Sequence, residues 1–208
     1  MVRFGSAAVL MVLTIAVSLI CLQSARLADA LALRPDRMFR RREYYRLVTC
    51  GFVHADLGHL FFNMLSFYFF AFTLERVLGT PAFLVLYFAA LIVSSLGSAL
   101  KHRRDPDYSA VGASGAILGV LFASIVYFPE QKLLLLPIPI PIPAPLFAIG
   151  YLAYSIYSAR LAQQDPRRGG RINHDAHLYG AATGLVFVAV LTPWAYGVLL
   201  QKLAAMFG

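Results

Sequence analysis

The chain has 208 residues, 60% of them hydrophobic and 13% charged, and its mean hydropathy is +0.70. Soluble domains carry about 25% charged residues, so the composition excludes an ordinary water-soluble fold and points to lipid as the solvent. The net charge of +8 does not point to nucleic acid, because most Lys and Arg lie in short connections beside apolar runs, where anionic headgroups explain them.

Cutting the sequence at its charges leaves six uncharged runs, at residues 4–25, 57–74, 77–100, 108–129, 133–159 and 176–201. A bilayer span needs about 20 apolar residues, so the sequence predicts an all-α membrane protein with six transmembrane helices and one domain over residues 1–208. The first run follows a single arginine and lacks a clear small-residue cleavage site, so it reads as a retained helix and not a signal peptide. The connection after it, RPDRMFRRREYYRLVTC at its centre, interleaves arginines with aromatic and aliphatic residues and suits the headgroup layer. Cys21 and Cys50 make neither a disulfide framework nor a metal set. In ERVLGTPAF, Gly79 ends the second helix while Thr80 and Pro81 open the third, which makes the two antiparallel neighbours; Glu75 and Arg76 read as a structural anchor there. In the fifth run, PIPIPIPAP sets proline at every second position from 137 to 145, which no α-helix tolerates. That stretch is expected to be extended and to lie at the interface or against protein, leaving a short fifth helix from about Pro145 to Leu161.

With six spans, the second, fourth and sixth helices start on one side of the membrane, and the unusual polar residues cluster at those starts. His59 and Asn63 stand four apart, one turn on one face of the second helix. Ser114 opens the fourth and His177 the sixth. Gly115 with Gly119, and Gly180 with Gly184, give those two helices a GxxxG pattern that permits close backbone approach. Taken alone, Ser114 reads as a packing residue. Its joint placement with two histidines and an asparagine on parallel helices instead suits a nucleophile, because serine attack needs a base for the hydroxyl proton and donors for the oxyanion. His177 can supply the base, and the candidate donors are the side chains of His59 and Asn63 and the Ser114 N–H. Asp175 lies two residues from His177 and points about 200° away around a helix, so a dyad is expected and not a triad. His54 either caps a loop or lines the site, His102 reads as solvated, and His174 as a loop or helix-start residue.

The pieces GFVHADLGHLFFNM, ERVLG, GASG and AHLYGAATG, in this order, resemble the rhomboid family of intramembrane serine proteases over residues 44–192. The resemblance implies a six-helix bundle with a water-filled cavity near one membrane face. It implies Ser114 as nucleophile, His177 as general base and His59 and Asn63 at the oxyanion; His54, Gly112, Gly115 and Gly180 are candidates to line the site. It implies substrates that are single-pass membrane proteins, cut where a helix unwinds, with membrane lipids as the other partner, no nucleic acid, and no cofactor or metal. The implied location is a bacterial inner membrane. The alternative within the family is a catalytically silent relative that binds or escorts membrane proteins, although such relatives typically lose the Ser or His retained here. A small transporter is disfavoured by the lack of intramembrane carboxylates.

Three departures from the family pattern stand out. Tyr45-Arg46 replaces the Trp-Arg of many members, and Leu118 stands where several carry an aromatic, four residues after the serine, that packs on the catalytic histidine. The proline run before the fifth helix is not general. Orientation is contested: fourteen of the eighteen Lys and Arg lie on the side that bears the site's mouth, which the positive-inside rule puts in the cytoplasm, whereas the resemblance implies an N-terminus inside and a site facing away from it. The family's orientation is preferred here, with the arginines of the first connection binding headgroups.

Overall fold

The computed structural model describes residues 5–134, 140–164 and 173–207. Helix α1 (Ser6–Leu22) starts where a distant carboxylate caps it: Glu75 accepts from the Ser6 N–H and hydroxyl (both 2.7 Å) and from the Ala7 N–H (3.0 Å). The same carboxylate accepts from the Thr80 hydroxyl at 2.8 Å. Glu75 is thus buried at no cost in unmet hydrogen bonds, which makes it the expected structural anchor.

The first connection folds into short helices, α2 (Ala25–Leu31), α3 (Pro35–Arg41) and α4 (Arg46–Thr49), followed by a 3₁₀ turn at Cys50–Phe52. Its centre is Arg46, fully buried, which donates to the Glu43 carboxylate (2.6 Å) and to the Asp29 and Ala32 carbonyls (2.8 and 2.6 Å). Asp29 in turn accepts from Arg34 and Arg37. These bonds hold the Asp29 carboxyl below the usual range, chiefly through Arg34, and the Glu43 carboxyl likewise, chiefly through Arg46. Of the arginines expected to meet headgroups, Arg34, Arg37 and Arg46 are paired with Asp29 and Glu43, and Arg26, Arg40, Arg41 and Arg42 remain exposed. The Tyr45 ring has the Arg46 guanidinium 5.3 Å from its centroid, and its hydroxyl donates to the Ala30 carbonyl.

Helix α5 (Leu57–Leu78) and helix α6 (Thr80–Lys101) form the expected antiparallel pair, turned at Gly79, whose φ of 77° suits glycine. Phe67, Phe83 and Tyr87 lock them together, with ring centroids 5.6 to 6.5 Å apart. The fourth run becomes helix only at α7 (Ser114–Tyr127). Ahead of it the chain is pinned in extended form, by pairing of Ala110 with Leu33 and by the Gly112 N–H on the Cys50 carbonyl (2.9 Å). Every residue of α7 from Gly115 to Val126 is buried, so α7 is the bundle's axis.

After α7, β1 (Lys132–Leu134) and β2 (Pro141–Pro143) pair antiparallel, Leu133 opposite Ile142. The alternation of the proline run explains this. Pro141 and Pro143 put their missing donors on the outer edge, while the Ala144 N–H, on the inner edge with that of Ile142, bonds the Gln131 carbonyl (2.9 Å). The extended expectation holds for this half; Pro137 and Pro139 lie outside the described residues. Helix α8 (Ala144–Gln164) is the fifth helix. The sixth run is not one helix. It breaks into α9 (His174–Leu191) and α10 (Trp194–Phe207), bent by 111°, because Pro193 cannot donate to the helix ladder and forces Thr192 out of helical geometry.

Helices α7 and α9 cross through their glycines. A Cβ on Gly180 would overlap the Gly115 carbonyl, and one on Gly184 the Gly119 carbonyl. On the outside, Val12, Phe61, Phe62, Val85, Ile149 and Val190 are all at least half exposed, a surface that only lipid tolerates. Among the described residues, α5 and α6 are each long and apolar enough to cross a membrane, and the bent pair α9–α10 makes up to three such spans; α1 and α7 are shorter apolar helices.

Candidate active site

Three helix starts build the site, two of them fixed by side-chain caps. Asp56 accepts the His59 N–H (2.7 Å) and opens α5, which sets His59 in the first turn and Asn63 one turn further on the same face. Asn173 opens α9 by accepting the Ala176 N–H (3.1 Å), and its amide is itself anchored on Ser98 Oγ and the Tyr108 hydroxyl. Tyr108 stacks on His102, centroids 3.8 Å apart, so His102 is a packed residue and not a merely solvated one. Gly112 precedes α7 at φ 122°, a conformation that favours glycine. Space demands glycine there too: a Cβ would stand 2.8 Å from His59 Cε1, 3.0 Å from His59 Nε2 and 3.7 Å from Asn63 Nδ2.

These starts bring Ser114 Oγ to 2.8 Å from His177 Nε2. Attack by Ser114 requires its hydroxyl to donate to Nε2, an arrangement that leaves Nε2 bare and the ring proton on Nδ1. Nδ1 lies 2.7 Å from the Tyr151 hydroxyl of α8. Asp175 points away and pairs with Lys101, as the helical angle predicts. The first intrahelical bond of α7 runs from Ile117 to Ala113, leaving the N–H groups of Ser114, Gly115 and Ala116 without helix carbonyls. Asn63 Nδ2 is buried and has no partner, an unspent donor facing the Gly112 Cα. Ser114, His177 and His59 are only half-buried, so the constellation is reachable.

His54 is fully buried behind His59, ring centroids 4.9 Å apart and edge-on. Its Nδ1 lies 2.8 Å from Ser18 Oγ on α1, whose hydroxyl donates to the Phe52 carbonyl. Gly115 and Gly180 serve the site by letting α7 and α9 touch. Tyr151 is the residue that sequence reasoning missed. The available signal was Leu118: with no aromatic on α7 beside the histidine, the far side of His177 had to be met from another helix.

Residues 41–194 match the rhomboid domain. The rhomboid-family protein YdcA of Bacillus subtilis (strain 168) is 31% identical over 147 residues, 69% of this chain and 65% of the relative. RHOMBOID-like protein 12, mitochondrial, of Arabidopsis thaliana is 29% identical over 163 residues, 71% of this chain and 46% of the relative. Rhomboid protease GluP of Bacillus subtilis (strain 168) is 33% identical over 107 residues, 51% of this chain and 20% of the relative. The match spans less than two thirds of each relative's length. The chain belongs to the rhomboid family and is an integral membrane protein built of helices.

Proposed function

We propose that this chain is an intramembrane serine endopeptidase that cuts the transmembrane helices of single-pass membrane proteins. The observation that carries the reading is the 2.8 Å contact between Ser114 Oγ and His177 Nε2, at a helix start furnished with unspent N–H donors. Ser114 Oγ attacks the scissile carbonyl carbon as its proton passes to His177 Nε2. The negative oxygen is received by Asn63 Nδ2, by His59 when protonated on Nε2, and by the Ser114 N–H, where the helix dipole also favours negative charge. Collapse breaks the C–N bond, and the His177 proton leaves with the amine. Water then hydrolyses the acyl-serine by the same route.

The whole described chain acts as one membrane domain, with α1, α5, α6, α7, α8 and α9 as its six spans and α10 turned away from the last. At about 1.5 Å per residue, the 14 residues of α7 cover about 21 Å of a hydrocarbon core about 30 Å thick. Ser114 therefore lies below the membrane surface, where a substrate helix has to unwind to expose its peptide bond. The protein sits in a bacterial inner membrane with its N-terminus in the cytoplasm. Internal pairing of Arg34, Arg37 and Arg46 lowers the number of free cations that argue for the opposite orientation. A reporter active only outside the cytoplasm, fused after Gly208, stays silent in this orientation, and strong activity contradicts it.

The test of the chemistry is a fluorophosphonate probe, which reports an activated serine. Labelling on Ser114 that disappears in His177→Ala supports the reading, and absence of labelling in folded protein argues against it.

A further inference from the structure

We infer that Tyr151 is a positioning residue that fixes the tautomer and orientation of His177 from α8. The inference rests on the dyad reading above. Proton transfer from Ser114 requires Nε2 bare, hence Nδ1–H, and the atom 2.7 Å from Nδ1 is the Tyr151 oxygen. An imidazole turns easily about χ2, whose wells are broad and nearly two-fold, so a ring bonded on one nitrogen only is free to flip. Two bonds on opposite nitrogens remove that freedom. The phenol oxygen accepts Nδ1–H in the resting state, and the bond strengthens as the ring becomes imidazolium, while the phenol takes no proton.

Tyr151 is itself held. Its ring stacks on Phe147, centroids 5.7 Å apart at 26°, and meets Phe122 of α7 at 6.2 Å. Leu118 occupies the α7 position one turn after Ser114, so no ring from α7 takes this place. The consequence is a division of labour. Glycine contacts between α7 and α9 set the distance from Ser114 to His177, whereas a third helix outside that pair sets the ring's rotation.

The experiment is Tyr151→Phe, which keeps the ring and deletes the acceptor, purified at full length. Turnover of a single-span substrate, KM, thermal unfolding and the nitrogen-15 spectrum of labelled histidine are compared with wild type. The expected result is a kcat about tenfold lower with KM and melting temperature unchanged, the scale of one lost hydrogen bond, and a His177 signal shifted from a single Nδ1–H form to a mixture. Unchanged kcat, or a fall that leaves the His177 tautomer as in wild type, overturns the inference. Failure of the protease reading is separate: it shows as cleavage surviving Ser114→Ala or absent from wild type, and the spectrum still decides the role of Tyr151.

Discussion

Gly180 of α9 rests directly on the Gly115 carbonyl of α7, so closely that a single methyl group would overlap it. The obstacle is backbone, which cannot swing aside as a side chain would. Replacing Gly180 with Ala gains about 1 kcal/mol of helix propensity, against about 1–3 kcal/mol for overpacking. With rigid backbone as the neighbour, the second term wins. Gly180→Ala is expected to melt lower and to cleave at least tenfold more slowly, since separated helices pull His177 from Ser114. Gly197→Ala on α10, where nothing lies within 4 Å, is the control and should be neutral or slightly stabilising. A higher melting temperature for Gly180→Ala would contradict the crossing.

The glycine crossing was legible in the sequence because GxxxG and the i, i+4 pair His59–Asn63 are properties of helical periodicity, which needs no tertiary information. Tyr151 was not, since its reach to His177 depends on how α8 leans after an extended proline segment. Nor was the burial of Arg46: RRREYYR reads as one cationic stretch, and only the fold shows which arginine meets Glu43 and two carbonyls inside. The bend at Pro193 was hidden because cutting a sequence at charges cannot see a break inside an uncharged run.

Asn63 Nδ2 is buried with no partner in the resting protein, so its contribution is realised when negative charge appears beside it. Asn63→Ala is expected to lower kcat by about 10² to 10³ with little effect on KM, the range for one oxyanion donor. Steady-state kinetics on a single-span substrate checks this, and an unchanged kcat would remove Asn63 from the site.

Activity should rise with pH as His177 loses its proton, because only neutral His177 accepts the serine proton. The titratable groups facing His177 are Tyr151 from α8, His59 from α5 and His174 on its own helix; α7 brings Ser114 alone. The first connection titrates elsewhere. Asp29 and Glu43 have lowered values in the folded protein, so their contribution is complete above the unfolded carboxylate range of about 4 and is lost as pH falls through the folded values. A pH–rate profile from acid to alkaline pH, read only where circular dichroism is unchanged, therefore reports His177. A flat profile would count against His177 as base.

Glu75 satisfies four donors at once, two of them backbone N–H groups at the start of α1. Glu75→Ala strands them and should cost about 2–3 kcal/mol of stability, read as a lower melting temperature. Glu75 is far along α5 from His59, so turnover well below that temperature should stay near wild type. Full loss of turnover in folded Glu75→Ala would place this corner in the site.

The most direct test of the central claim is cleavage of a single-span helix with small residues near its end, co-reconstituted in vesicles with purified wild type, Ser114→Ala or His177→Ala. The account predicts one cut within or beside the helix by wild type and none by either variant, with all three proteins folded. Retained cleavage by purified Ser114→Ala would contradict it.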